Sequence, residues 1–291
     1  MEVSNSIQAL VSLVDDPDES IFTHVKKELI KHGKAAIPYL ENSWTEDLFG
    51  NTHQTRIETL IRDINFEETK TQLVKWADSP EKDLLKGAII ISKFKAPDLK
   101  TKELYNYFEQ LRRDIWLEIN NNQTAFEKVK IINRILFDHH GFKGGEKDYS
   151  SPVNSFIHNV IDYKEGNPLS LSLVYSILAQ SLEVPVYGVN LPSHFILAYM
   201  DEEGINIAIN QENEFGTLFY INPYSKGAIL NLNEIETFLD KLNLEYRREY
   251  FEPCSNTDII KRMLNNLIGS YQKLNKTQRV NELKELRNLL A

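Results

Sequence analysis

Gly166-Asn-Pro-Leu-Ser-Leu-Ser-Leu-Val-Tyr175, continued by Val184-Pro-Val-Tyr-Gly-Val-Asn-Leu-Pro-Ser-His-Phe195, decides how the second half of this chain folds. Asn167-Pro168 is a helix-start pair. The Asn side chain accepts from an early amide, and proline at the first helical position has no amide to leave unsatisfied. The helix that follows, Leu169 to Leu182, is apolar on nearly all sides and is therefore central. Beyond it, β-branched and aromatic residues predict strands at 185–190 and 194–200, the second led by His194, and again near 205–209 and 217–222. Asp201-Glu-Glu-Gly204 and Asn213-Glu-Phe-Gly216 are the natural turns between them, which makes the sheet antiparallel.

Working outward, a short helix is expected over 154–162, capped by Asn154 or Ser155, with Gly166 ending the turn after it. On the other side come a helix at 233–242 and a helical pair over 256–288 capped by Asn256 or Ser255. From residue 4 to about 140 the pattern is helix after helix. In 20–33, Ile21, Val25, Leu29 and Ile30 make one apolar stripe and Gly33 is the stop. Further helices follow at 35–44, 51–63, 66–77, 82–94, 100–119 and 123–138, the last carrying Phe126, Val129, Ile132 and Leu136 on one side. The loop Gly141-Phe-Lys-Gly-Gly145 marks the change from helices to mixed structure. The expected organisation is 1–122 helical, 123–250 an α+β domain with a central helix on an antiparallel sheet, and 251–291 a C-terminal helical hairpin.

With 42% hydrophobic and 10% aromatic residues the chain fills a real core. A net charge of -9 argues against a broad grip on nucleic acid, and the one basic cluster, Tyr246-Arg-Arg-Glu-Tyr250, has only two arginines and reads as a solvated edge. No run approaches the ~18 apolar residues of a membrane helix, and Met1-Glu-Val-Ser-Asn-Ser6 lacks the basic-then-apolar pattern of a secretory signal. The single cysteine, Cys254, has no intramolecular disulfide partner and fits a reducing, cytoplasmic compartment. His139-His140 with Glu146 or Asp148 is not expected to hold a metal, because adjacent helical histidines point about 100° apart. No phosphate-cradling glycine loop is present, so neither metal nor cofactor is expected.

Asp15-Asp-Pro-Asp-Glu-Ser20 followed by Lys34-Ala-Ala-Ile-Pro-Tyr-Leu40 resembles a HEAT-type repeat, with a plain helical bundle the equal alternative. More extensive is the set Asn154-Ser-Phe156, the Gly166–Tyr175 stretch, Val184-Pro-Val-Tyr-Gly-Val189, Pro192-Ser-His-Phe195 and Ile221-Asn-Pro-Tyr-Ser-Lys-Gly227. In order and spread this set, over roughly 125–245, resembles the SirB-type transglutaminase-like domain, which also occurs in an F-box protein of animals. The resemblance implies a papain-like arrangement: a cysteine on a helix N-terminus, a histidine on the next strand but one, and an Asp or Asn on the strand after.

Carried onto this chain, His194 matches the histidine and Asn222 the orienting residue, while Pro168 falls where the cysteine belongs. The helix start retains the free amides and partial positive charge that depress a thiol pKa, but not the thiol. Ser170, about 200° around the helix, is a weak substitute; Ser172 lies one turn deeper; and Cys254 lies outside the matched region. Taken alone, a histidine flanked by Ser193 and Phe195 is more often structural than catalytic. The expectation is therefore a non-catalytic binding or scaffold protein, with a protein or peptide as partner and neither nucleic acid nor membrane. The rival expectation is an active amidase, peptidase or acyl-transferase with His194 as general base oriented by Asn222.

Overall fold

The computed structural model describes residues 2–46, 51–145, 151–201 and 215–290. The chain divides into two compact units, Met1–Lys75 with Lys93–Pro97, and Trp76–Ser92 with Asp98–Ala291.

The first unit is helical: α1 (Glu2–Val11), α2 (Glu19–His32), α3 (Ile37–Glu46) and most of α4 (Asn51–Ala77). Asp18 caps α2 by accepting from the Ser20 amide, and Gly33 ends it at φ 60. Val25 and Leu29 of the expected stripe join the core with Ile7, Leu40, Ile57 and Leu60, but Ile21 is exposed and the neighbouring Phe22 packs in its place. The two helices expected at 51–63 and 66–77 are one, because neither proline nor glycine interrupts residues 51–77.

In the second unit α5 (Leu84–Lys93) and α6 (Thr101–Trp116) precede α7 (Ala125–Asn133), which opens with a Thr124–Glu127 capping box and continues as a wider π-type turn over Arg134–His139. Val129, Ile132 and Leu136 are buried as expected. Phe126 is exposed instead, with the Lys130 ammonium 4.4 Å from its ring centre. His140 Nε2 donates to the Asp114 carboxylate at 2.9 Å, while the His139 ring stands nearly perpendicular to that of His140. Among the described residues no group of three His, Cys, Asp or Glu side chains is placed to hold a metal ion; Glu146 and Asp148 lie outside them.

A two-residue parallel pair, β1 (Lys143–Gly144) and β2 (Glu165–Gly166), flanks α8 (Ile157–Tyr163). The cap of α8 is Phe156 with no side-chain bond, not Asn154 or Ser155, which sit in a 3-10 turn over Pro152–Ser155. The helix ends on Lys164 in the left-handed region, two residues before Gly166.

Helix α9 (Pro168–Ser181) is buried along all of Pro168 to Ala179 and packs on an antiparallel meander in the order β3 (Val186–Val189), β4 (Ile196–Met200), β5 (Thr217–Asn222), β6 (Ala228–Leu230). The strand led by His194 begins two residues later, because Leu191–His194 forms a turn with Ser193 at φ 59. The expected strand at 205–209, residues 202–204 of the first expected turn and residues 213–214 of the second lie outside the described residues. Strand β6 has no counterpart among the strands expected from the sequence.

Helix α10 (Leu232–Lys241) covers the sheet through Ile235 and Leu239, which join Val189, Ile196, Ala198 and Tyr220 in one apolar cluster. Helices α11 (Asn256–Lys273) and α12 (Thr277–Asn288) pair as the C-terminal hairpin, α11 capped by Ser255 in a capping box with Asp258. The Arg247–Arg248 segment is exposed and paired to its own acidic neighbours, Glu249 and Glu252. Among the described residues no helix is long and apolar enough to cross a membrane.

Candidate functional site

The start of α9 is built by reciprocal caps. Asn167 Oδ1 accepts the Ser170 amide at 2.9 Å, the Ser170 hydroxyl accepts the Asn167 amide at 3.0 Å, and Asn167 Nδ2 donates to Ser155 Oγ at 3.0 Å. All three residues are buried. Ser170 is thus committed to the cap. Ser172, one turn on from Pro168, turns its hydroxyl to the Phe195 carbonyl at 3.4 Å and ties α9 to the residue just before β4.

His194 hangs from the Leu191–His194 turn, its carbonyl accepting from Arg262 of α11 at 3.4 Å. Its Nε2 lies 3.4 Å from Asn222 Oδ1 at the end of β5. The Asn222 amide nitrogen donates to Ser225 Oγ at 3.2 Å, which sets the orientation of the amide. An amide oxygen only accepts, so Nε2 carries the ring proton and Nδ1 keeps a lone pair. That Nδ1 has no hydrogen-bond partner among the described residues. Burial holds the imidazole pKa below its ordinary 6.5, against the Asn222 hydrogen bond and with help from the Arg262 charge. The neutral ring is the form able to accept a proton.

Two aromatic rings hold the imidazole, Tyr224 edge-on at 6.4 Å and Phe238 at 6.0 Å between centroids. Tyr224 itself is seated by the Gly144–Gly145 loop. A Cβ on Gly144 would come within 2.7 Å of the Tyr224 ring, and the Tyr224 hydroxyl donates to the Gly145 carbonyl at 3.2 Å. The turn that follows Asn222 closes on Gly227 at φ 74, whose amide returns to the Asn222 carbonyl at 2.9 Å. Asn133, the last residue of α7, donates to the Gly227 carbonyl at 2.8 Å. The glycine loop that marks a boundary in the sequence is therefore also part of the support for the histidine.

Pro168 and His194 line one cavity of about 330 Å³, together with Ser155, Asn167, Ser193 and a face of α11. No cysteine lines it. Cys254 stands in a separate hollow with Glu252, Pro253 and Asp258, where burial pushes its thiol up to about 12. The fold thus brings His194 and Asn222 together and sets Pro168 at the wall of the same cavity. It holds Ser170 in the cap, and Cys254 elsewhere. Tyr224, Phe238 and Arg262 were missed as site residues; Tyr224 carried a signal, being two residues after Asn222 in the Asn-Pro-Tyr motif.

A buried capped helix on an antiparallel meander, with a histidine and an amide facing each other beside the helix start, is the arrangement the SirB-type resemblance implies. The family model described as the transglutaminase-like superfamily matches residues 102–265, more than half of the 291 residues, and the chain belongs to that superfamily. Among curated proteins it is similar to a UPF0162 protein of Xylella fastidiosa (strain 9a5c), 27% identical over 207 residues that cover 67% of each chain. It is also similar to the mouse F-box only protein 21, 31% identical over 139 residues, 47% of this chain and 21% of that one. A UPF0162 protein of Vibrio cholerae is 22% identical over 157 residues, 54% of this chain and 53% of the other. The chain spans about a fifth of the F-box protein's length and about half of the Vibrio protein's. No solved structure matches.

Proposed function

We propose that this chain is a binding or scaffold protein built on a transglutaminase-like fold whose acyl-transfer chemistry is silent, taking a protein or peptide as partner. The observation that carries this reading is the state of the helix start beside His194. Proline occupies the position the resemblance assigns to the nucleophile, and the nearest hydroxyls of α9 are engaged, Ser170 by Asn167 and Ser172 by the Phe195 carbonyl. An imidazole can raise the reactivity of a thiol or hydroxyl only within hydrogen-bond reach, and no such bond to Nδ1 is present among the described residues. What remains is a neutral acceptor, oriented by Asn222, on the wall of a cavity. The N-terminal helices, read as HEAT-like, would add a second surface for a protein partner, and the cysteine usage fits a cytoplasmic setting.

The rival reading, an active amidase, peptidase or acyl-transferase, draws support from the retained His194–Asn222 pair at 3.4 Å. Labelling the full chain with an iodoacetamide probe and a fluorophosphonate probe separates the two. The silent site predicts no stoichiometric adduct. An adduct formed by the wild type and lost in His194→Ala would overturn it.

A further inference from the structure

A second constellation of titratable side chains stands outside the cavity of His194, where α6, the π-type turn and the end of α8 meet. Tyr107 and Asp114 lie on one face of α6, two helical turns apart. His140, just past the π-type turn, spans the gap between them, its Nδ1 3.4 Å from the Tyr107 hydroxyl and its Nε2 2.9 Å from the Asp114 carboxylate. A carboxylate only accepts, so in the neutral ring Nε2 carries the proton and Nδ1 accepts from Tyr107. The Tyr107 oxygen in turn accepts from the ammonium of Lys164, which ends α8. One unbroken chain of donors thus runs from Lys164 through Tyr107 and His140 to Asp114.

The seat of Lys164 is aromatic. Its ammonium lies 3.8 Å from the Tyr107 ring centre and 4.9 Å from that of the buried Phe142. Among the described residues no carboxylate comes within ion-pair distance of it: Glu165 pairs with Lys143 at 3.0 Å, and Asp162 acts only at longer range. Aromatic faces attract an ammonium, yet the lost hydration holds the Lys164 pKa below its ordinary 10.5, against the pull of Asp162. The side chain is half-buried, so the amine keeps a path to solvent. An amine relieved of its proton is a nucleophile, and here the donor chain leads that proton toward a base.

We propose that Lys164 is an acyl-acceptor site, activated through Tyr107 by the His140–Asp114 pair and modified by small activated acyl groups. The Nζ lone pair attacks the carbonyl carbon of a thioester or acyl phosphate, a C–N bond forms, and the C–S or C–O bond to the leaving group breaks. The surplus proton on Nζ passes to the Tyr107 oxygen as Tyr107 passes its own to His140 Nδ1, and Asp114 holds the imidazolium that results. That imidazolium then gives its proton to solvent while the departing thiolate or phosphate takes one up, so nothing is oxidised or reduced. The products are an amide on Lys164 and the free thiol or phosphate. None of the four residues lines the cavity of His194, so this site stands whether or not that cavity is silent.

The test is acetylation of the full chain by S-acetyl-N-acetylcysteamine and, in a separate arm, by acetyl phosphate, with each lysine followed by peptide mass spectrometry. Lys164 is expected to react about tenfold or more faster than the exposed Lys100 with at least one of the two probes. Its rate should rise with pH to a plateau whose midpoint lies below 10.5. Tyr107→Phe keeps the aromatic seat and removes the relaying hydroxyl, while His140→Gln removes the base. Each is expected to bring Lys164 down to the rate of Lys100 and to leave Lys100 unchanged, and since they cut the chain at two different points, either one, shown to be folded by circular dichroism, makes the comparison. Reaction with one probe alone assigns the donor to thioesters or to acyl phosphates. Lys164 reacting no faster than Lys100 with both probes would overturn the acceptor site, and a fast Lys164 indifferent to both substitutions would overturn its activation through Tyr107.

Discussion

Replacing Asn167 by alanine is the perturbation that most sharply separates a structural cap from a catalytic one. Asn167 is 5% exposed and holds two buried partners, the Ser170 amide at 2.9 Å and Ser155 Oγ at 3.0 Å. Losing an N-cap costs about 0.5–2 kcal/mol, and burial puts this one at the upper end, since the freed amide faces little water. Leaving Ser155 without its donor adds about 1 kcal/mol, so the total is about 3 kcal/mol. For a unit of this size each kcal/mol lowers Tm by about 2–4 °C, giving a fall of about 6–12 °C. Asn167→Asp keeps the acceptor and places a negative charge at a helix start, so it is expected to lose no more than about 1 kcal/mol.

Ser170→Ala is the partner experiment. It removes the acceptor of the Asn167 amide at 3.0 Å and is expected to destabilise by about 1–2 kcal/mol. Urea unfolding followed by circular dichroism measures all three. An Asn167→Ala protein within about 1 kcal/mol of wild type would refute the cap as the organiser of the site. A Ser170→Ala protein that keeps full stability but loses a covalent label would make Ser170 a nucleophile and not a cap.

Two further outcomes follow from the support of the histidine. Gly227→Ala forces an L side chain into φ 74 and onto the Asn133 amide, and is expected to lose about 2–3 kcal/mol in the same unfolding experiment and to broaden or shift the His194 ring signals in NMR. For His194 the folded pKa is below the ordinary 6.5, so the unfolded chain takes up the proton first. Its contribution to stability is present above 6.5 and is lost as pH falls through 6.5 toward the folded value, below which it levels. The stability difference between wild type and His194→Gln should therefore shrink over that window, and a difference that grows on acidification would contradict the assigned direction.

What could be read from the sequence depended on how local each signal was. Asn167-Pro168 announces a helix by its own chemistry, and the buried helix after it needs only its unbroken apolar run, so the centre of the domain was readable. The same holds for Ser255, whose cap is completed by Asp258 three residues on. Strand β6 was invisible because three partly exposed residues, Ala228–Leu230, are too few to display an alternation. The break expected near residue 65 failed because a polar residue within a helix is tolerated where glycine or proline is not.

The site was legible in its chain order and not in its walls. His194 and Asn222 could be named from the motifs, but the turn that delays β4 until Ile196 depends on Ser193 adopting the left-handed region, a choice made by the surrounding packing. Gly144 read as a loop residue; only the arrival of Tyr224, 80 positions later, reveals why a side chain is excluded there. The polar face of α11 is periodic in the sequence, yet nothing in that periodicity says that it fronts the cavity of His194.

The most direct measurement of the central claim is to return the sulfur. In a Pro168→Cys, Cys254→Ser protein, the pH dependence of iodoacetamide alkylation reports the pKa of a thiol placed at the α9 start. That pKa is predicted to lie well below the ordinary ~8.5 and to rise when His194 is also replaced by alanine, since the helix start and the imidazole both favour the thiolate. The wild-type Cys254, half-buried with its thiol pushed up to about 12, should stay unreactive in the folded chain. An introduced thiol with an ordinary pKa, indifferent to His194, would mean that the proline does not stand where a nucleophile would.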